Sequence, residues 1–149
     1  MKRFFRIMLA GLFLLSACSR ATGIEVSKVW MRSAMKDGNG AVYFLLENYS
    51  ARQDTLTVVT SQAAEAVEIH ETKMDRDVMQ MQQVTSVPIP GKGSVEFSPG
   101  GLHVMLIGLK QDLNTGDEIQ VTLQFADHED ITLTVPVQEM EADGSMSDH

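Results

Sequence analysis

Leu102-His103-Val104-Met105-Leu106 decides how this chain must be read. An apolar residue alternates with a histidine or a methionine, and a period of two is the signature of an extended strand. Leu102, Val104 and Leu106 fall on one face of such a strand, and His103 and Met105 share the other. No window between residues 24 and 137 sustains a helical period. Short runs of period two recur instead, at 24–31, 40–47, 55–60, 64–72, 78–84, 94–98, 102–109, 118–126 and 131–137. Turn-forming clusters separate many of them: Lys36-Asp37-Gly38-Asn39-Gly40, Pro90-Gly91-Lys92-Gly93, Pro99-Gly100-Gly101 and Asn114-Thr115-Gly116-Asp117. Seven to nine short strands in one domain predict an all-β fold. The expected form is an antiparallel β-sandwich, immunoglobulin-like or cupredoxin-like.

Parity sorts the other ligand-type residues as well. In 64–72, Val67 and Ile69 share one face, and His70 follows Glu68 on the opposite one. Met79 and Met81 share a face of their strand. Trp30 reads as a core anchor, Met74 as a turn residue, and His128, between Asp127 and Glu129, as a surface residue in a hairpin turn.

His70, Met81, His103 and Met105 together form a distinctive donor set. Two imidazoles and two thioethers suit a soft ion, copper(I) above all, and discriminate against magnesium and calcium. Thioether sulfur carries no proton, so only the histidines would make binding pH-dependent. Ten residues lie between His70 and Met81, twenty-one between Met81 and His103, and one between His103 and Met105. These spacings resemble the PCuAC family of extracytoplasmic copper chaperones, whose pattern is His, ten residues, Met, twenty-one residues, His-x-Met. The similarity extends to Trp30-Met31-Arg32 and Ala41-Val42-Tyr43-Phe44 and covers residues 24 to 137.

The resemblance implies a metal site of His70, Met81, His103 and Met105 with copper(I) as the bound ion. It also implies delivery towards the copper centres of respiratory cytochrome oxidase, with a Sco-type thiol protein or the oxidase copper-binding subunit as partner. A copper storage or tolerance lipoprotein without a dedicated acceptor uses the same site and stays open as an alternative. A copper redox protein needs a cysteine thiolate beside two histidines. The only cysteine is Cys18. Hydrolytic motifs such as Gly-x-Ser-x-Gly or His-Glu-x-x-His do not occur, so the chain is expected not to be an enzyme.

The ends carry a separate message. Lys2, Arg3 and Arg6 precede the apolar run 7–15, the pattern of an export signal. Leu15-Ser16-Ala17-Cys18 resembles a bacterial lipobox, in which the peptidase cuts before a lipid-bearing cysteine. Residues 1–18 are therefore expected to form a lipoprotein signal peptide, 19–23 a short tether, 24–137 the copper-binding domain and 138–149 a disordered tail. Cys18 is the expected lipidation site, and acyl chains on it would hold the protein on a membrane of the cell envelope, on the periplasmic side. Nine basic and twenty acidic residues remain after position 18, a net charge of −11 with histidine neutral. That balance speaks against nucleic acid as a partner. Met79 and the tail residues Met140, Met146 and His149 are further donors that could join in copper binding.

Overall fold

A computed structural model gives the structure of residues 23–139. The expected signal peptide, Cys18 and the donors Met140, Met146 and His149 lie outside the described residues. Ten strands follow in order: β1 (Ile24–Arg32), β2 (Asn39–Asn48), β3 (Asp54–Thr60), β4 (Ala64–Asp75), β5 (Val78–Val84), β6 (Val87–Ile89), β7 (Ser94–Phe97), β8 (Leu102–Leu109), β9 (Glu118–Phe125) and β10 (Ile131–Gln138). The all-β expectation holds, with one strand more than the upper figure. That strand, β6, has three residues with Pro88 at its centre, and a proline that cannot donate to a ladder masks an edge strand in sequence.

The strands run in the order β5-β4-β8-β7-β2-β1-β10-β9-β3-β6. Two leaves meet where β1 and β10 pair in parallel, Met31 beside Val137. Nearly all other pairings are antiparallel. Val42, Phe44, Leu46, Ile69, Val104 and Leu106 supply the core from one leaf; Leu56, Val121, Leu123, Val135 and Val137 supply it from the other. Phe44 and Phe97 stack at its centre, ring centroids 4.4 Å apart.

Trp30 is not the core anchor expected. The β1–β2 register slips between Ser27 and Trp30, where Lys28 takes a positive φ of 52°. Ile24 faces the core before the slip and Met31 after it, so the inward phase changes from even to odd positions. Trp30 is left half-buried on the outer face, 4.7 Å from the Tyr43 ring.

Among the described residues three polar residues are buried, Asn48, Asp54 and His103, and Asp54 joins two segments of chain. Asp54 is buried and its carboxylate accepts hydrogen bonds from the Thr55, Asp127 and His128 amides at 2.6, 3.0 and 2.9 Å. It ties the start of β3 to the turn between β9 and β10. Asp54→Ala would orphan amides held by a charged acceptor and is expected to cost about 2–3 kcal/mol of stability. Chemical denaturation should report the loss as a lower midpoint at unchanged slope.

Candidate metal site

The outer face of the β5-β4-β8-β2 leaf is built by register. His70 sits directly opposite His103, and Glu68 opposite Met105, across β4–β8. Thr72 sits opposite Met81 across β4–β5, and Ala41 opposite Met105 across β2–β8. Because each of these pairs has the opposite parity to Ile69, Val104 and Val42, all of them turn away from the core.

A notch forms at this face because β2 changes partner. Its residues 39–42 pair with β8 and its residues 44–47 pair with β7. The chain crosses from β7 to β8 through Ser98-Pro99-Gly100-Gly101, closed by a Gly101 N–H donating to the Ser98 carbonyl at 3.0 Å. Proline second and Gly100 third, at φ 85°, is the arrangement of a type II turn. The resulting cavity holds about 360 Å³ and is lined by Tyr43, Thr72, Met79, Met81, His103 and Met105 among others. A larger hollow of about 530 Å³, lined by Thr60, Ser61 and Gln120 among others, contains no metal-ligating side chain.

Three of the four expected donors, Met81, His103 and Met105, thus line one cavity. His70 does not line it. It stands one strand across from His103, the ring centroids 5.8 Å apart. A metal–imidazole bond of about 2 Å puts an ion roughly 3 Å from each ring centre, so two rings sharing an ion stand up to roughly 6 Å apart. The observed separation meets that condition.

Hydrogen bonding fixes which ring nitrogen of each histidine keeps a lone pair. His103 Nδ1 lies 3.1 Å from the Gly101 carbonyl. A carbonyl only accepts, so Nδ1 carries the proton and Nε2 keeps the lone pair. The same carbonyl accepts the Thr72 amide at 3.1 Å, tying the turn to β4 as well as to His103. His70 Nε2 lies 2.7 Å from the Glu68 carboxylate. With Nε2–H donating there, His70 Nδ1 keeps its lone pair, and this atom is buried with no hydrogen-bond partner. A buried, unpartnered acceptor is costly unless something occupies it. A carboxylate behind the opposite nitrogen is the usual support of a ligating histidine.

Exposure divides the set. His103 is only 5% exposed, whereas Met81 is 55% exposed. His103, although on the face opposite Val104, is enclosed by the notch and its flanking turn. Among the described residues no group of three or more His, Cys, Asp or Glu is placed to hold a metal. Beyond the two imidazoles, the side-chain donors this face offers include the thioethers of Met81 and Met105.

Glu68 and Gly101 are hydrogen-bond partners of the two histidines that the motif does not include. Glu68 was visible as a residue two positions from His70, hence on the same face; the Gly101 carbonyl carries no side-chain signal at all.

The LpqE-like lipoprotein family matches residues 24–137. A Leifsonia xyli protein that carries a lipoprotein name is 35% identical over 121 residues, 80% of this chain and 72% of that protein. An uncharacterized protein of Rickettsia prowazekii is 38% identical over 103 residues, and the alignment spans 57% of its length. Among solved structures, the copper-bound PCuAC domain from PmoF2 superposes with a TM-score of 0.66 at 24% identity, covering 80% of this chain and 96% of that one. The copper(I) form of DR1885 from Deinococcus radiodurans superposes at 0.59 with 25% identity, covering 81% and 83%.

Proposed function

The chain belongs to the LpqE-like lipoprotein family and has the fold of PCuAC domains, and from that premise we propose that it is a copper(I) chaperone of the bacterial envelope. The observation that carries the reading is the buried, unpartnered His70 Nδ1 beside His103, on the face that also holds Met81 and Met105. The ligand set proposed is His70 Nδ1, Met81 Sδ, His103 Nε2 and Met105 Sδ.

Copper(I) is closed-shell and tolerates irregular, low coordination, so two nitrogens and two sulfurs can hold it without a strained geometry. Copper(II) would gain less from the thioethers. Glu68 holds the His70 tautomer and Gly101 holds that of His103, so neither ring must reorganise when the ion arrives. Met81 is the exposed donor, and exchange starts there: an incoming thiolate displaces one neutral thioether while the histidines still hold the ion. The protein acts as a carrier and transforms no substrate.

Anchoring through a lipid on Cys18 fits the family and the lipoprotein-named relative. Copper is then passed to an acceptor with thiolate ligands, such as a Sco-type protein or the copper-binding subunit of an oxidase.

An anaerobic copper(I) titration against a chromophoric chelator tests the reading. One tight copper per chain is expected. Glu68→Ala, which frees the His70 ring, should weaken it about 10–100-fold, while Glu118→Ala on the other leaf should leave it unchanged. Failure of the protein to compete with the chelator would overturn the proposal.

A further inference from the structure

The β4–β5 hairpin reaches past the end of its neighbour. Pairing of β4 with β8 stops at Glu71, opposite Leu102, whereas pairing of β4 with β5 continues to Asp75 and Val78. Residues 72–81 therefore form a two-stranded arm closed by the two-residue turn Arg76-Asp77. Both turn residues have positive φ, 44° and 66°, as tight hairpins require.

The two faces of this arm differ sharply in chemistry. Lys73, Asp75, Val78 and Gln80 share one face, where Lys73 also meets the Glu71 carboxylate at 2.8 Å and no sulfur is present. Thr72, Met74, Met79 and Met81 share the other. Met74, expected in a turn, lies instead within β4 and pairs directly across from Met79. Neither packs into the interior: Met74 is 68% and Met79 63% exposed. Their thioethers contribute nothing to the core, yet they stand on the face that leads to Met81 and His103.

Cross-strand partners have Cβ atoms about 5 Å apart, a separation that two flexible methionines can close around one ion. The next pair inward, Thr72–Met81, lies about 7 Å along the strands. Met79 also lines the cavity that holds Met81, His103 and Met105.

We propose that Met74 and Met79 form a second, weaker copper(I) site at the arm tip, which captures the ion and passes it to Met81. This inference rests on the copper(I) reading of the His70–Met81–His103–Met105 site. Two neutral sulfurs without an imidazole bind more weakly than the inner set and discharge towards it. Met79, which lines the same cavity as Met81, stands between the two positions, so the ion need not be released to solvent on the way inward.

The test is methyl NMR of the full chain in detergent, with methionine methyls labelled with carbon-13 and copper(I) added anaerobically. The first equivalent should shift the Met81 and Met105 methyls, and the second should shift Met74 and Met79 together. Met74→Leu should leave the tight equivalent intact and weaken the second at least about tenfold. If Met81 and Met105 shift but Met74 and Met79 stay unmoved through two equivalents, the arm-tip site is refuted and the chaperone reading stands. If none of the four moves, the copper reading itself fails and takes the arm-tip site with it.

Discussion

His103→Ala is expected to lower copper(I) affinity by more than about 100-fold, beyond the loss typical of removing a supporting hydrogen bond. His103 is the donor that the fold encloses most completely. It is 5% exposed, its tautomer is held by the Gly101 carbonyl, and its strand neighbours Leu102 and Val104 face the opposite way. Its removal takes away the nitrogen opposite His70 and leaves Met81 and Met105 to hold the ion with one imidazole. Stability should change far less than affinity, because the ring lies outside the hydrophobic core. A competition titration reads the affinity, and a thermal melt of the copper-free protein reads the stability. Equal affinity for both proteins would remove His103 from the site.

Phe44→Ala is expected to do the reverse. Phe44 is 1% exposed and stacked on Phe97, so truncation opens a cavity that rigid neighbours cannot fill, at about 3–5 kcal/mol. For a domain of this size the melting temperature should fall by roughly 10–20 °C. The position also bears on the site. Phe97 pairs with Phe44 and immediately precedes the turn that carries Gly101. At temperatures where the variant stays folded, it should bind copper more weakly through a looser turn, while remaining specific for the reduced ion. A melt in the presence and absence of copper(I) separates the two effects. An unchanged melting temperature would mean that Phe44 does not occupy the core as described above.

The parity of Leu102-His103-Val104-Met105-Leu106 was enough to assign the inner and outer faces of β8, and the register bears it out. The same holds for Ile69 and His70 on β4. Local alternation could not reveal the slip at Lys28, because one unpaired residue reverses every later position on the strand while the composition stays strand-like. Trp30 was misread for that reason, and Met31 took its place inside. Met74 falls in β4 rather than a turn because the strand runs on past Thr72 to Asp75, and the turn proper holds only Arg76 and Asp77.

Within the candidate site, spacing singled out four residues, and three of them line a common cavity. His70 does not, and the reason lies in a long-range pairing no spacing can encode: β4 lies between β5 and β8, so His70 lies directly across from His103 with the two rings tilted by 54°. Glu68 could be inferred from its parity with His70. The Gly101 carbonyl could not, since a main-chain acceptor becomes specific only once the turn is formed.

X-ray absorption at the copper edge, on the protein loaded anaerobically with one equivalent of copper(I), tests the central claim most directly. The account predicts a closed-shell edge and a mixed shell of nitrogen at about 2.0 Å and sulfur at about 2.3 Å, with the sulfur contribution reduced when Met81 and Met105 are both replaced by leucine. A shell of nitrogen and oxygen alone, or a sulfur contribution that survives both replacements undiminished, would contradict it.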